Sequence, residues 1–287
     1  LLILSGCGWG NEQKAIRALQ RGNAHAEAKK WDAAIHDYNE AIRLDPTYAD
    51  AFYNRGLVYE NRDDVDRAIA DYSEAIRLDP DFTEAYFNRA MAYDQKGEYD
   101  KALGDLTEAI ALNPKDIDAF VNRALIHADQ NDYDAAAADY TRAIQLEPED
   151  AELYHDRGIT YSDKGNYERA IADYTRAIQL DSKYADAFHH RGVAYIQIDE
   201  DDLAFDDYSE AIRLDPMSVE AHYKRGLIHA AKGDQESAVA DYTRAIRLDP
   251  NWADPYLDRG ESHEALGNDA AAQADFDKAK QLNDSSP

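Results

Sequence analysis

The stretch Glu40-Ala41-Ile42-Arg43-Leu44-Asp45-Pro46, EAIRLDP, decides the fold. The same seven letters return at 74–80 and at 210–216. The first interval is 34 residues and the second is four times that length. With the proline placed at position 32 of a frame, Pro46, Pro80, Pro114, Pro148, Pro216 and Pro250 form one column, and Ser182 fills its one internal gap. Counting back gives eight frames: 15–48, 49–82, 83–116, 117–150, 151–184, 185–218, 219–252 and 253–286. A fixed period of this size marks a repeat array.

The columns inside the frame carry the physics. Position 8 is Gly or Ala throughout, position 11 is Tyr or His, and positions 20 and 27 are always Ala. Position 24 is aromatic except at Leu106. Positions 4, 8 and 11 share one face of a first helix, and 20, 24 and 27 share one face of a second. The small residues let the backbones approach while the rings fill the space beside them. Position 15 is Gly, Asn or Asp in seven frames, residue types that accept the left-handed backbone ending a helix. The proline then closes the second helix. One such hairpin cannot bury its apolar face alone, so neighbours must stack. The last frame differs: positions 21 and 28, apolar elsewhere (Ile69 with Ile76, Ile171 with Ile178), become Gln273 and Lys280. The expectation is a polar closing stripe on which no further repeat packs.

This pattern resembles the tetratricopeptide repeat, W-x2-L-G-x2-Y, then A-x3-F, then A and P. Position 4 is Phe or Tyr in six frames where the family has Trp, and position 7 is Arg where it has Leu. The resemblance implies an all-α, right-handed superhelical solenoid of eight helix-turn-helix repeats, read as one continuous domain over 15–286. It also implies a non-enzymatic scaffold or adaptor that binds an extended peptide or protein segment on its concave face.

Composition narrows the partners. Acids outnumber bases by 58 to 31, for a net charge of −27. Such a polyanion repels phosphate backbones, which argues against nucleic acid and for a basic protein or peptide. No apolar run reaches 18 residues, so no complete membrane-spanning helix is expected. One cysteine excludes an internal disulfide framework. That residue, Cys7, lies in LLILSGCGWG, where Leu4-Ser5-Gly6-Cys7 resembles the lipobox of bacterial lipoproteins. The resemblance implies acylation of Cys7, with residues 1–6 a remnant of a signal sequence and 7–14 a short tether. It places the protein in a bacterial cell envelope. Gly8 after the cysteine then implies sorting to an outer membrane, facing the periplasm.

Candidate chemistry follows the columns. Position 7 is Arg and position 23 is Asp in all eight frames, from Arg21 and Asp37 to Arg259 and Asp275. The expectation is an ion pair between the two helices of each repeat, with an anion-binding arginine ladder as the lesser reading. His25, His127, His229 and His263 stand in the packed position 11 and are expected in the core. His155, His189 and His190 are close enough for a metal to be considered, but no supporting carboxylate or cysteine spacing accompanies them. No catalytic or cofactor motif is present, so no enzyme, cofactor or metal is expected.

By the resemblance, positions 2, 5, 6 and 9 of the first helices line the groove. Asn54, Asn88 and Asn122 at position 6 resemble the asparagine ladder of peptide-binding repeat proteins. An amide donates to and accepts from a peptide backbone whatever the peptide's sequence. Tyr53 and Phe87 at position 5, with Leu57, Met91 and Leu125 at position 9, are expected to supply apolar contact. Asp50, Glu84 and Asp118 at position 2 either complement the helix dipole or attract the ligand. Two alternatives are a cytosolic co-chaperone-like adaptor and the targeting arm of an enzyme. The first would need basic residues where Leu19, Glu84 and Asn88 stand.

Overall fold

The computed structural model describes residues 6–285, with side chains from Gly10 to Asp284. The expected leader remnant and the side chain of Cys7 lie outside the described residues. The chain gathers into two compact units, Leu1–Leu146 and Glu147–Pro287. In a repeat array each hairpin touches only its neighbours, so a border between repeats is a natural place to divide.

The first unit holds α1 (Gly6–Glu27), α2 (Trp31–Leu44), α3 (Ala49–Glu60), α4 (Val65–Leu78), α5 (Thr83–Gln95), α6 (Tyr99–Leu112), α7 (Ile117–Asp129) and α8 (Tyr133–Leu146). The second holds α9 (Ala151–Asp163), α10 (Tyr167–Leu180), α11 (Ala185–Ile196), α12 (Asp201–Leu214), α13 (Val219–Ala231), α14 (Gln235–Leu248), α15 (Asp254–Ala265) and α16 (Asp269–Ser285). No strand occurs among the described residues. Within each unit the helices pack in chain order, each against the next. The segment expected as a tether is helical and lengthens α1. Glu12, Gln13, Lys14 and Ala15 are all good helix formers, and no breaker separates them from the first repeat.

The core is built from the small columns. The alanines at positions 20 and 27 are buried in every repeat, and so are the position 24 rings from Tyr38 to Tyr242, with Leu106 in their place in the third repeat. Position 8 must be small because that ring lies against it: a Cβ at Gly56 would stand 2.7 Å from the Tyr72 ring. Position 15 adopts the left-handed conformation in all eight repeats, including Lys29 at φ 55° and Gly165 at φ 81°. Lys29 is the residue the composition of that column did not announce.

The repeated heptapeptide now has an account. Its Glu and Arg pair on the surface, Glu40 with Arg43 at 2.7 Å and Glu74 with Arg77 at 2.6 Å. Its Ala enters the core. Its Asp turns the chain, the Asp45 carboxylate accepting from the Thr47 N–H at 2.9 Å. The heptapeptide is therefore a last helical turn plus its stop. At the far end of the second unit, Gln273 and Lys280 are exposed.

Candidate functional site

The arginine column is structural. Each position 7 guanidinium pairs with the position 23 carboxylate of its own repeat, and Arg123 forks onto Asp139 at 2.6 and 2.8 Å. The same fork joins Arg55 to Asp71, Arg89 to Asp105, Arg157 to Asp173, Arg191 to Asp207, Arg225 to Asp241 and Arg259 to Asp275, whereas Arg21 places both nitrogens on Asp37 Oδ1 and leaves Oδ2 to His25. The hydrogen bonds that Arg157 donates to the Asp173 carboxylate push its guanidinium above its ordinary value. The remaining arm reaches back one repeat: Arg89 donates to Ser73 Oγ, Arg123 to Thr107 Oγ1, Arg191 to Thr175 Oγ1 and Arg259 to Thr243 Oγ1, each at 3.0 Å. One side chain thus ties two helices of a hairpin and two hairpins of a stack. The carboxylates are buried, so an anion-binding ladder is not what these arginines form.

With the hairpins locked, the first helices present their position 5, 6 and 9 side chains. In the first unit these come from α3, α5 and α7. Asn54 Nδ2 donates to the Asp50 carbonyl at 2.7 Å, and Asn122 Nδ2 donates to the Asp118 carbonyl at 2.8 Å. Each lies back on its own helix, with Oδ1 and one N–H still available. Asn88 behaves differently, donating to Tyr53 Oη across the repeat border at 2.9 Å. The reason lies 35 residues upstream. Asn88 follows a tyrosine at that distance, whereas Asn54 follows Leu19 and Asn122 follows Phe87, neither of which bonds an amide.

The apolar candidates divide as well. Tyr53 packs with Leu57 against Tyr59, Ala68 and Tyr72, and Phe87 packs with Met91 against Ala90, Ala102 and Leu106. All four are half-buried and show one flank each. Leu125 is 48% exposed and stands clear of the core. Asp50, Glu84 and Asp118 are exposed in the first turns of their helices, and their carboxylates have no hydrogen-bond partner among the described residues.

The second unit repeats the rung with other chemistry. Tyr223 Oη donates to Asp258 at 2.7 Å, and His155 Nε2 meets His190 Nδ1 at 3.0 Å. Burial first, then the neighbouring His155 and His189, push the His190 imidazole down to about 4. His189 has Lys224 at the matching position and turns instead to Glu220, Nε2 to Oε2 at 3.3 Å. Reading columns 5 and 6 separately missed these cross-repeat rungs; reading position 5 against position 6 of the next frame shows them.

A third column also escaped notice. In three repeats an aromatic residue at position 34 lies against the ring at position 5: Phe82 against Tyr53 at 4.7 Å, Tyr184 against His155 at 4.8 Å and Trp252 against Tyr223 at 4.5 Å.

The position 11 histidines, expected in the core, are half-buried, His229 lying against the Phe205 ring at 5.0 Å. His25 is 39% exposed with Nδ1 2.8 Å from Asp37 Oδ2, and His229 Nδ1 lies 3.4 Å from Asp234. An imidazole is smaller than a phenol ring and seeks a polar partner; His25 finds one in α2 and His229 at the turn, whereas His263 Nδ1 is buried without one. Among the described residues no three His, Cys, Asp or Glu side chains gather to hold a metal. Nor is any described helix long and apolar enough to cross a membrane.

Comparison with known proteins agrees with the columns. Residues 49–82 and 83–116 match the tetratricopeptide repeat, 124–193 match it again, and 22–63, 196–233 and 226–267 match the TPR repeat. The chain belongs to the tetratricopeptide-repeat family. Among solved structures, it resembles the MamA protein at 27% identity, covering 58% of this chain and 92% of that one, with a TM-score of 0.54. YrrB, described as a TPR protein with an unusual peptide-binding site, matches at 24% identity over 63% of this chain and 93% of that one, TM-score 0.53. The C-terminal part of a TPR protein from Cytophaga hutchinsonii matches at 15% identity over 83% of this chain and 97% of that one, TM-score 0.73. The search of curated proteins found no match. The all-α repeat fold of this chain is that of the family.

Proposed function

We propose that this tetratricopeptide-repeat protein is a non-enzymatic adaptor that holds an extended protein segment against its first helices, and that Cys7 anchors it to a bacterial envelope membrane. What supports the reading most is the state of Asn54 and Asn122. Each is oriented by its own helix and keeps an acceptor and a donor in the same amide plane, as a peptide backbone requires. Around them stand the exposed acids Asp50, Glu84 and Asp118, which favour a basic segment. YrrB shares the fold at an identity that speaks to fold alone, so the argument rests on this chain's residues. The anchor is supported by Leu4-Ser5-Gly6-Cys7 and by the cysteine being the only one in the chain. A periplasm-facing outer-membrane position follows from Gly8 under the same reading.

Two experiments test this. Peptides selected from a random library on the full chain should lose binding in the triple variant Asn54→Ala, Asn88→Ala, Asn122→Ala. Any one substitution should cost only several-fold, since each amide bridge contributes about 0.5–1.5 kcal/mol net. A triple variant with unchanged circular dichroism and wild-type affinity would sink the groove reading. Separately, Cys7→Ser expressed in bacteria should move from the membrane to the soluble fraction; unchanged membrane fractionation would remove the anchor.

A further inference from the structure

The ring pairing between positions 5 and 34 has a gap in the second unit. In the sixth repeat position 5 is His189, but position 34 is Ser218, whose side chain is too small to lie against the imidazole. Where Phe82, Tyr184 or Trp252 would put a ring in their own repeats, a groove of about 480 Å3 remains. His189, His190, Ser218, Val219 and Trp252 are among the residues that line it. The Trp252 wall is fixed in place, its Nε1 donating to Asp254 at 3.2 Å and its ring set against Tyr223, which is itself held by Asp258.

The polar lining is acidic. Asp186, Glu220 and Asp249 border the groove, and no lysine or arginine does. The Asp186 carboxylate has no hydrogen-bond partner among the described residues, and Glu220 is met only by His189. The nearest base on the same helix, Lys224, places its Nζ 5.8 Å from the Tyr223 ring centroid. A ligand group here must be flat, to take the place of the missing ring, and positive, to satisfy the carboxylates.

We infer that this groove is an arginine-reading pocket: it takes a guanidinium of the bound segment between His189 and Trp252, with Asp186 and Glu220 as its acceptors. A guanidinium stacks on indole and forks onto carboxylates, which a lysine ammonium does only in part. The inference rests on the segment-binding reading and adds the side chain that the segment must carry. A small residue at this position does not damage the fold, as Asp116 and Asp150 show in other repeats. Ser218 caps α13 by accepting from the Ala221 N–H, so the small residue that opens the space also ends the turn cleanly.

The test uses the full chain and four blocked pentapeptides, Gly-Ser-X-Ser-Gly, with X arginine, citrulline, lysine or phenylalanine. The readout is the indole N–H resonance of Trp252, assigned with Trp252→Phe. The arginine peptide should shift it saturably, with citrulline weaker by about tenfold and lysine intermediate. Asp186→Asn with Glu220→Gln should weaken the arginine peptide by about tenfold. Ser218→Tyr should fill the groove and abolish binding. Its fold is safe by example, because Tyr184 and Phe82 begin α11 and α5 from the same position. Equal binding of arginine and citrulline, stronger binding of phenylalanine, no saturable shift, or wild-type binding in Ser218→Tyr would each overturn the pocket. In any of those cases, library peptides that still depend on Asn54 and Asn122 would leave the adaptor reading standing. Arginine discrimination that persists when those asparagines prove irrelevant would do the reverse.

Discussion

The two units are alike where the repeat is built and unlike at positions 5 and 6 of the first helices. Arg123 on Asp139 in the first and Arg191 on Asp207 in the second have the same fork within 0.1 Å, each with a hydroxyl of the preceding repeat 3.0 Å away. At positions 5 and 6 the likeness ends. The first unit shows Tyr53, Phe87, Asn54, Asn88 and Asn122, whereas the second shows His155, His189, His190, Lys224 and Asp258. The frame is held by residues that see only their own repeat and its neighbour, so the seven repeats after the first solve the same problem the same way. The presented face has no such constraint and differs from one unit to the other.

If the frame is shared, cutting it should cost the same in both units. Arg123→Ala and Arg191→Ala each leave a buried carboxylate without its partner and should each lose about 3 kcal/mol. Denaturant unfolding of the two variants measures this, and a twofold disparity would break the equivalence. Adding Asp139→Ala to Arg123→Ala should cost less than the sum of the singles.

A smaller effect sharpens the comparison at the turns. Gly165 in the second unit and Lys29 in the first hold the same left-handed backbone, at φ 81° and 55°. Gly165→Ala should destabilise by about 1 kcal/mol, while Lys29→Gly should be neutral or stabilising by up to about 1 kcal/mol. Thermal unfolding of the pair reads both signs.

Smaller again is a pH effect confined to the second unit. His190 stays neutral in the folded chain down to about pH 4, whereas unfolded it takes up a proton near its ordinary 6.5. Between those values the unfolded state binds more protons, so stability contributed by neutral His190 falls as pH drops through that window. The groups facing the imidazole are His155, whose Nδ1 lies against Asp156, the neighbouring His189, and Asp186 through its backbone carbonyl. His190→Asn, which copies the first unit's residue, should lose less stability between pH 7 and pH 5 than the wild type. Equal losses would show that the imidazole is not desolvated.

The frame was legible because its causes are local and repeat eight times. Alanines 20 and 27, the ring at 24, the arginine at 7 and the turn at 15 each recur at the spacing that puts them in contact. What escaped was pairing between columns. The fate of Asn88 depends on Tyr53, and the groove beside His189 depends on Ser218, residues that a single-column reading treats as independent. The position 11 histidines were only half legible for a related reason: a column of rings suggests packing, yet His25 follows the carboxylate of Asp37. The division into two units left no mark on the period at all.

The adaptor reading is tested most directly at the side-chain amides themselves. In the free protein the Asn88 side-chain amide, bonded to Tyr53, should be protected from solvent exchange relative to those of Asn54 and Asn122. On titration with a library-selected peptide, the Asn54 and Asn122 side-chain 15N–1H resonances should shift and saturate at the peptide's own affinity. Those of Asn166, which caps α10 at the turn, should not move. A peptide that binds at full affinity and leaves the Asn54 and Asn122 amides unshifted would contradict the account.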